Sequence, residues 1–249
     1  MRHPRIRVRA ALGMLVLSSL LFVPYASAMV YADDFNDNII DPTWWTVTTT
    51  GTSAIVAANG RVELTQGSTG FAALGFVMPI VGDFVVTVDY HLIDWPANNQ
   101  ERLVLNAYGG PTNQLVIERI SDTQYDPGPQ RTGEVYLTDF PGQGILGTPT
   151  ADRSGTLRLE RSGDAVRGSF LDGSGWNVIG THFRVDEGSL ARTMGMGLFA
   201  GNTTTTGVKV ALDNFTVYAP VPEPQTYALL AGGLVLLGLR LRGRRIMQS

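Results

Sequence analysis

Between Met29 and Ala219 the chain has no sustained helical periodicity; short apolar or alternating runs recur instead between clusters of Gly, Asp, Asn and Pro. A period of two sends successive side chains to opposite faces, so such runs form strands that turn one face toward a core. The runs are Arg61 to Leu64, Asp83 to Ile93, Arg102 to Tyr108, Gln114 to Ile120, Gly133 to Leu137, Gly155 to Arg161, Ala165 to Leu171, Trp176 to Gly180, Met194 to Ala200 and Val208 to Tyr218. Their number and spacing predict an all-β fold, a two-sheet antiparallel β-sandwich.

The clearest local signal is Leu157 to Leu171, where apolar and polar residues alternate on both sides of Ser162-Gly163-Asp164. A tight hairpin there puts Leu157, Leu159, Val166 and Phe170 on one face. Asp172-Gly173-Ser174-Gly175 turns the chain again, and Trp176 is expected to pack across that turn and bury its ring. The predicted core, or its border, holds Trp176, Phe170, Leu157, Leu159, Leu198, Phe199 and Phe215.

Both ends differ from this middle. Arg2, Arg5, Arg7 and Arg9 precede an apolar run from Ala10 to Val23 and then Ala26-Ser27-Ala28. That order of charged, apolar and small residues is a secretory signal peptide, with cleavage expected after Ala28. A retained anchor is the alternative, but the run is short of the ~20 residues a span needs. At the other end Pro222-Glu223-Pro224 is followed by an apolar stretch from Tyr227 to Leu239 and by Arg240, Arg242, Arg244 and Arg245. Positive charge after an apolar helix resists translocation, and the prolines keep the preceding chain extended. Thirteen apolar residues make a helix of roughly 20 Å against a bilayer core of ~30 Å, which suits a transient anchor better than a permanent one.

Eight of the nineteen basic residues lie in these two ends, leaving eleven against twenty-one acids from Met29 to Ala219, or a net charge of −10. A nucleic-acid partner, which would need a basic face, is therefore not expected. Cys is absent, so packing rather than disulfides must hold the exported domain together.

The tail resembles the PEP-CTERM sorting signal in its Pro222-Glu223-Pro224 motif, its Leu- and Gly-rich span and its closing arginines. The resemblance implies recognition by an exosortase-type membrane protease, cleavage near the motif, and delivery from the inner membrane to the cell surface or extracellular matrix of a Gram-negative bacterium. Three segments follow: a signal peptide (1–28), a β-sandwich (29–219) and a sorting tail (220–249) that holds the membrane by an apolar helix until it is processed.

The middle segment resembles the concanavalin A-like lectin/glucanase jelly roll. The residues concerned are Asp33-Asp34-Phe35-Asn36 with Asp41-Pro42 and Trp45, the stretch from Leu157 to Trp176, Gly195 to Asn202, and Ala211 to Val217. The resemblance implies glycan-related chemistry and, where the N-terminal segment meets the last strand, a calcium ion. Asp33 or Asp34, a backbone carbonyl near Gly60, and Asp213 are the expected ligands, since calcium favours six to eight oxygens. The alternative makes Asp34 and Asp213 turn formers that accept from nearby backbone N–H groups.

Glucanases of this fold pair two carboxylates, about 5 Å apart in retaining enzymes, usually within a Glu-x-Asp-x-x-Glu strand. No such run occurs: Glu63, Glu101, Glu118, Glu134 and Glu160 stand alone, and Glu187 is beside Asp186. A pair such as Glu118 with Glu134 would have to assemble from different strands. With His91 and His182 the only histidines outside the signal peptide, a His-rich zinc site is excluded, and no phosphate loop or Gly-x-Ser-x-Gly elbow is present.

For glycan binding, aromatics that stack on sugar rings must stand beside hydrogen-bonding groups. If Val86, Val88, Tyr90 and Leu92 face the core, Asp89 and His91 point away from it. Arg102, Asn106 and Tyr108 on the next run are expected to join them, with Tyr136 and Glu118 extending the face and Trp95 an exposed platform beside Pro96. The alternative is an ordinary solvated sheet face, with Trp95 and Tyr90 in the core. The expected protein is a non-enzymatic exopolysaccharide binder; a glycoside hydrolase or lyase and a purely structural matrix protein are the alternatives.

Overall fold

A computed structural model describes residues 28–67, 70–80, 82–97, 101–108, 114–122, 133–140, 144–183, 192–200 and 207–220. Among them there are fifteen strands and no helix: β1 (Ala28–Asp33), β2 (Trp45–Thr49), β3 (Ala54–Ala58), β4 (Arg61–Gln66), β5 (Phe71–Ile80), β6 (Phe84–Asp94), β7 (Glu101–Tyr108), β8 (Gln114–Asp122), β9 (Gly133–Phe140), β10 (Gly144–Pro149), β11 (Ser154–Ser162), β12 (Ala165–Asp172), β13 (Gly175–Phe183), β14 (Arg192–Ala200) and β15 (Val208–Pro220). The eight-stranded sheet runs β13-β12-β11-β6-β15-β4-β3, with β1 also on β15; the seven-stranded sheet runs β10-β9-β8-β7-β14-β5-β2. The expected all-β antiparallel sandwich is what forms, and Met29–Ala219 is a compact unit of its own.

All ten predicted runs are strands, and β1, β2, β3, β5 and β10 add to them. The expected hairpin pairs Ser162 with Ala165, and Gly163 supplies the positive φ of 56° that a two-residue turn needs at its first central position. Leu157, Leu159, Val166 and Phe170 are all buried on its inner face.

The inner faces meet over one apolar core that includes Val62, Leu64, Leu74, Phe76, Val86, Val88, Leu103, Leu105, Ile117 and Phe215. One flank is filled by aromatics: Phe215 of β15 lies 4.8 Å from Trp45 and 5.6 Å from Phe76, ring centre to ring centre. Tyr31 of β1 packs on Phe76 at 4.8 Å with the rings tilted. Asp33 joins them by accepting from Trp45 Nε1 (2.8 Å) and Tyr31 Oη (3.1 Å). Burial, and then the Asp33 charge, push the Tyr31 phenol well above its ordinary range.

On the opposite flank glycine lets the sheets approach. A Cβ on Gly168 would lie 2.3 Å from Thr138 Cγ2, and one on Gly180 would lie 2.5 Å from Thr138 Oγ1. Thr138 of β9 thus fits where β12 and β13 present no side chain.

One core expectation changes. Trp176 does not fold back across its turn: it is 41 % exposed on the outer face of the eight-stranded sheet. Its cross-strand partner is Leu171 rather than the inward Phe170, so strand parity overrode the short-range contact. The side chains of Leu198 and Phe199 lie outside the described residues, as do residues 1–27 of the expected signal peptide and the expected sorting residues Pro222, Glu223, Pro224, Arg240, Arg242, Arg244 and Arg245.

Candidate functional site

Strand β7 sets the candidate site. Leu103, Leu105 and Ala107 point into the core, so Arg102, Val104, Asn106 and Tyr108 take the outer face of the seven-stranded sheet. Arg102 is fixed there by Glu118 of β8, with Nε 2.8 Å from Oε2 and Nη2 2.5 Å from Oε1, a two-pronged pair of the geometry guanidinium favours. Tyr108 ends the row and is 44 % exposed. Register then places Gly195 of β14 beside Asn106, and Gly197 beside Val104. Gly75 and Ala73 of β5 follow in the same two rows. The β8–β9 half of this face is buried, with Ile120, Val135 and Leu137 packed together, while Asn106, Tyr108, Ala73 and Gly75 keep exposure.

The expected single face is in fact two. Asp89 and His91 belong to β6 of the eight-stranded sheet, whereas Arg102, Asn106 and Tyr108 belong to the seven-stranded sheet. Adjacent in sequence, β6 and β7 are joined across the sandwich rather than as a hairpin. Asp89 is held on its own outer face, accepting from Thr156 Oγ1 (2.6 Å) and Asn214 Nδ2 (2.9 Å), with His91 exposed one position along that face.

Tyr136 and Trp95 are not exposed platforms. Tyr136 is fully buried, stacked at 4.1 Å on Phe170 and sharing a 2.6 Å hydroxyl contact with Tyr90. Trp95 is 5 % exposed and donates to Glu134. Both point inward toward Arg119, whose guanidinium lies 5.9 Å from the Trp95 ring and 5.8 Å from the Tyr136 ring. Arg119 pairs with Glu134 at 2.6 Å and donates to the carbonyls of Asp152 and Ile120. Sequence reasoning missed this buried arginine, which ties the β10–β11 crossover to the core; its place on the same strand parity as the inward Leu115 and Ile117 was the signal.

The carboxylate pair does not assemble either. Glu118 and Glu134 lie on opposite faces of the seven-stranded sheet, because Glu118 is opposite Leu137 in register and Glu134 is opposite Ser121. Each is engaged by an arginine instead.

At the expected calcium site, Asp34 Oδ1 accepts from the Asn36 amide, Asp213 Oδ1 from the Asn214 amide, and the Gly60 N–H donates to Asn38 Oδ1. Burial, and then the charges of Asp89 and Asp34, push the Asp213 carboxyl up, so three acids share one negative field that a cation would relieve. Among the described residues no three carboxylates or imidazoles form a metal-holding group; Asp34, Asp213 and a carbonyl at Gly60 would leave most of calcium's six to eight positions to further carbonyls or water.

No protein-family model and no curated protein matches the sequence. Among solved structures, lectin II from Ulex europaeus is similar, with a TM-score of 0.58 at 10% identity over 78% of this chain and 99% of the lectin. The carbohydrate recognition domain of Emp47p aligns at 0.57 and 13% identity, over 77% of this chain and 96% of that one. A structure from a study of endo-acting O-glycanases of the human gut microbiota aligns at 0.54 and 12% identity, over 77% and 99%. At such identities the likeness speaks for architecture rather than for activity, and the described β-sandwich has the concanavalin A-like jelly-roll fold.

Proposed function

We propose that this is an exported, non-enzymatic polysaccharide-binding protein of the cell surface or extracellular matrix, whose tail is read by an exosortase-type membrane protease. The observation that bears most weight is the outer row of β7, where Tyr108 and Asn106 remain accessible beside glycine positions and Arg102 is held rigid by Glu118. An exposed aromatic next to fixed hydrogen-bonding groups is the composition of a sugar subsite. The alternative of hydrolysis draws on the O-glycanase likeness, and the separation of Glu118 from Glu134 counts against that pair as its acid and nucleophile.

Binding to a glycan array and to the host's own exopolysaccharide, run beside a reducing-sugar assay, tests the reading. Tyr108→Ala should weaken binding without unfolding the domain, and no reducing ends should appear. Release of reducing sugar would replace the binding reading with the enzymatic one; silence in both assays would favour a structural matrix protein.

Calcium is part of the same proposal, held by Asp34, Asp213 and a carbonyl at Gly60. Because a ligand stabilises only the state that binds it, excess chelator should lower the melting temperature of the wild type and leave Asp213→Ala unmoved. An unchanged wild-type curve removes the ion.

A further inference from the structure

The chain has four tryptophans, and the fold treats one of them differently. Trp45 and Trp95 are buried, and Trp44 is half-buried against the aromatic flank, whereas Trp176 is 41 % exposed. Its neighbours on the same outer face, Leu171 and Val178, are exposed as well. Arg158 lies over the indole at 5.1 Å and is itself held by Glu160 at 2.7 Å, a cation–π contact that steadies the ring.

Register extends this patch into a track. Trp176 is opposite Leu171, Leu171 opposite Thr156, Thr156 opposite Asp89 and Asp89 opposite Asp213. At ~4.8 Å per strand, those five positions span about 19 Å across the sheet. The next row holds Val178, Ser169, Arg158, Thr87 and Thr216. One end of the track is therefore aromatic and aliphatic, and the other offers hydroxyls and carboxylates.

We infer that this outer face of the eight-stranded sheet is a second polysaccharide-contact surface, built around Trp176 for an uncharged chain. A pyranose has a flat apolar face and a hydroxyl-rich rim, and the track pairs an indole and a leucine with hydrogen-bonding groups at strand spacing. A protein partner fits less well, because the cores of protein interfaces are depleted of carboxylates, while here Glu160 and Asp89 border an apolar strip only two strands wide. An anionic chain fits less well too: Arg158 already answers Glu160, and Asp89, held in the track by Thr156 and Asn214, would repel added negative charge. The two outer faces point away from each other, so occupation of both would make the domain a cross-bridge between chains; that consequence alone rests on the function proposed for the Tyr108 face.

The test uses the full chain in detergent with laminarin and galactomannan as neutral probes and alginate as the anionic one. Oxidation by N-bromosuccinimide, read by mass spectrometry, should slow at Trp176 when a neutral probe is present and not with alginate. Trp176→Ala should lower affinity for the protecting probe at least tenfold, about 1.4 kcal/mol, Trp176→Phe should retain most of it, and Tyr108→Ala should leave the Trp176 protection in place. The inference is overturned if no neutral probe protects Trp176, if alginate protects it equally, or if folded Trp176→Ala binds like the wild type. Binding that depends on Tyr108 alone overturns this site and spares the proposed function, and no binding at either face overturns both. Protection that grows with protein concentration in the absence of polysaccharide would assign the patch to a second copy of the chain and overturn it likewise.

Discussion

Single residues at the seam between the sheets account for much of the domain's order. Phe215 is fully buried between Tyr31, Trp45 and Phe76, so Phe215→Ala leaves a cavity bounded by rigid rings that cannot collapse into it. The expected cost is about 3–5 kcal/mol, read from chemical denaturation of the folded protein. Glu63 gives a different signature. Lys209 Nζ approaches it to 2.5 Å and Arg61 Nη2 to 2.7 Å, and these two cations hold its carboxyl at about 2 instead of 4.5. A depressed acid lends stability that is whole above its unfolded value and is lost as pH falls toward its folded one. Between pH 4.5 and 2 the wild type should therefore lose more stability than Glu63→Gln, and parallel acid-melting curves would remove Glu63 from the account. The site residues divide along similar lines. Asp89, Asn106 and Tyr108 were legible as outward positions because alternation alone fixes the face. Trp95 and Tyr136 were not, since a large aromatic ring reads alike as core or platform until the residues opposite it are known.

Strands with contrast between their two faces announced themselves, and strands without it did not. In β5, Ala72, Leu74 and Phe76 point inward while Phe71, Ala73 and Gly75 take the other side, so both faces are apolar or small and no alternation shows. β2 is an edge strand of exposed residues after Trp45, and β10 is interrupted by Gly147. Which sheet each strand joins was also hidden, because pairing of β6 with β11 and β15 rather than β7 is decided by contacts far apart in sequence. The flank built on β9, β12 and β13 offers a sharp check. Gly168→Ala places a methyl against Thr138, and the bulge after Gly168 leaves the pairing little room to shift. Overpacking of this kind costs about 1–3 kcal/mol. Thr138→Ala in the same chain should recover a good part of that loss by removing the opposing methyl, as a double-mutant cycle would show. Additive losses would mean the strain is relieved by moving the sheet edge instead.

At the scale of the whole molecule, the bounds of the domain decide what processing can remove from the chain. Met29–Ala219 holds the core as one compact unit, and β1 pairs with β15 within it. Tyr31 of β1 packs on Phe76 and faces Phe215 of β15, so both end strands are anchored to the aromatic flank. Removal of residues 1–28 would leave the chain starting within β1, with Tyr31 and its contacts intact. Cleavage near Pro222-Glu223-Pro224 would fall just beyond Pro220, where β15 ends, and would cost no ladder bond among the described strands. Cleavage a few residues earlier would strip Val217 and Ala219, both buried, from the sheet. The mature protein should therefore run from Met29 to the neighbourhood of Pro224 and melt at the temperature of the uncut domain. Intact-mass measurement on material from the native host, followed by thermal unfolding, checks both halves. A species still ending at Ser249 would make the tail a permanent anchor, and a terminus upstream of Ala219 would show that β15 is not the closing strand of the mature fold.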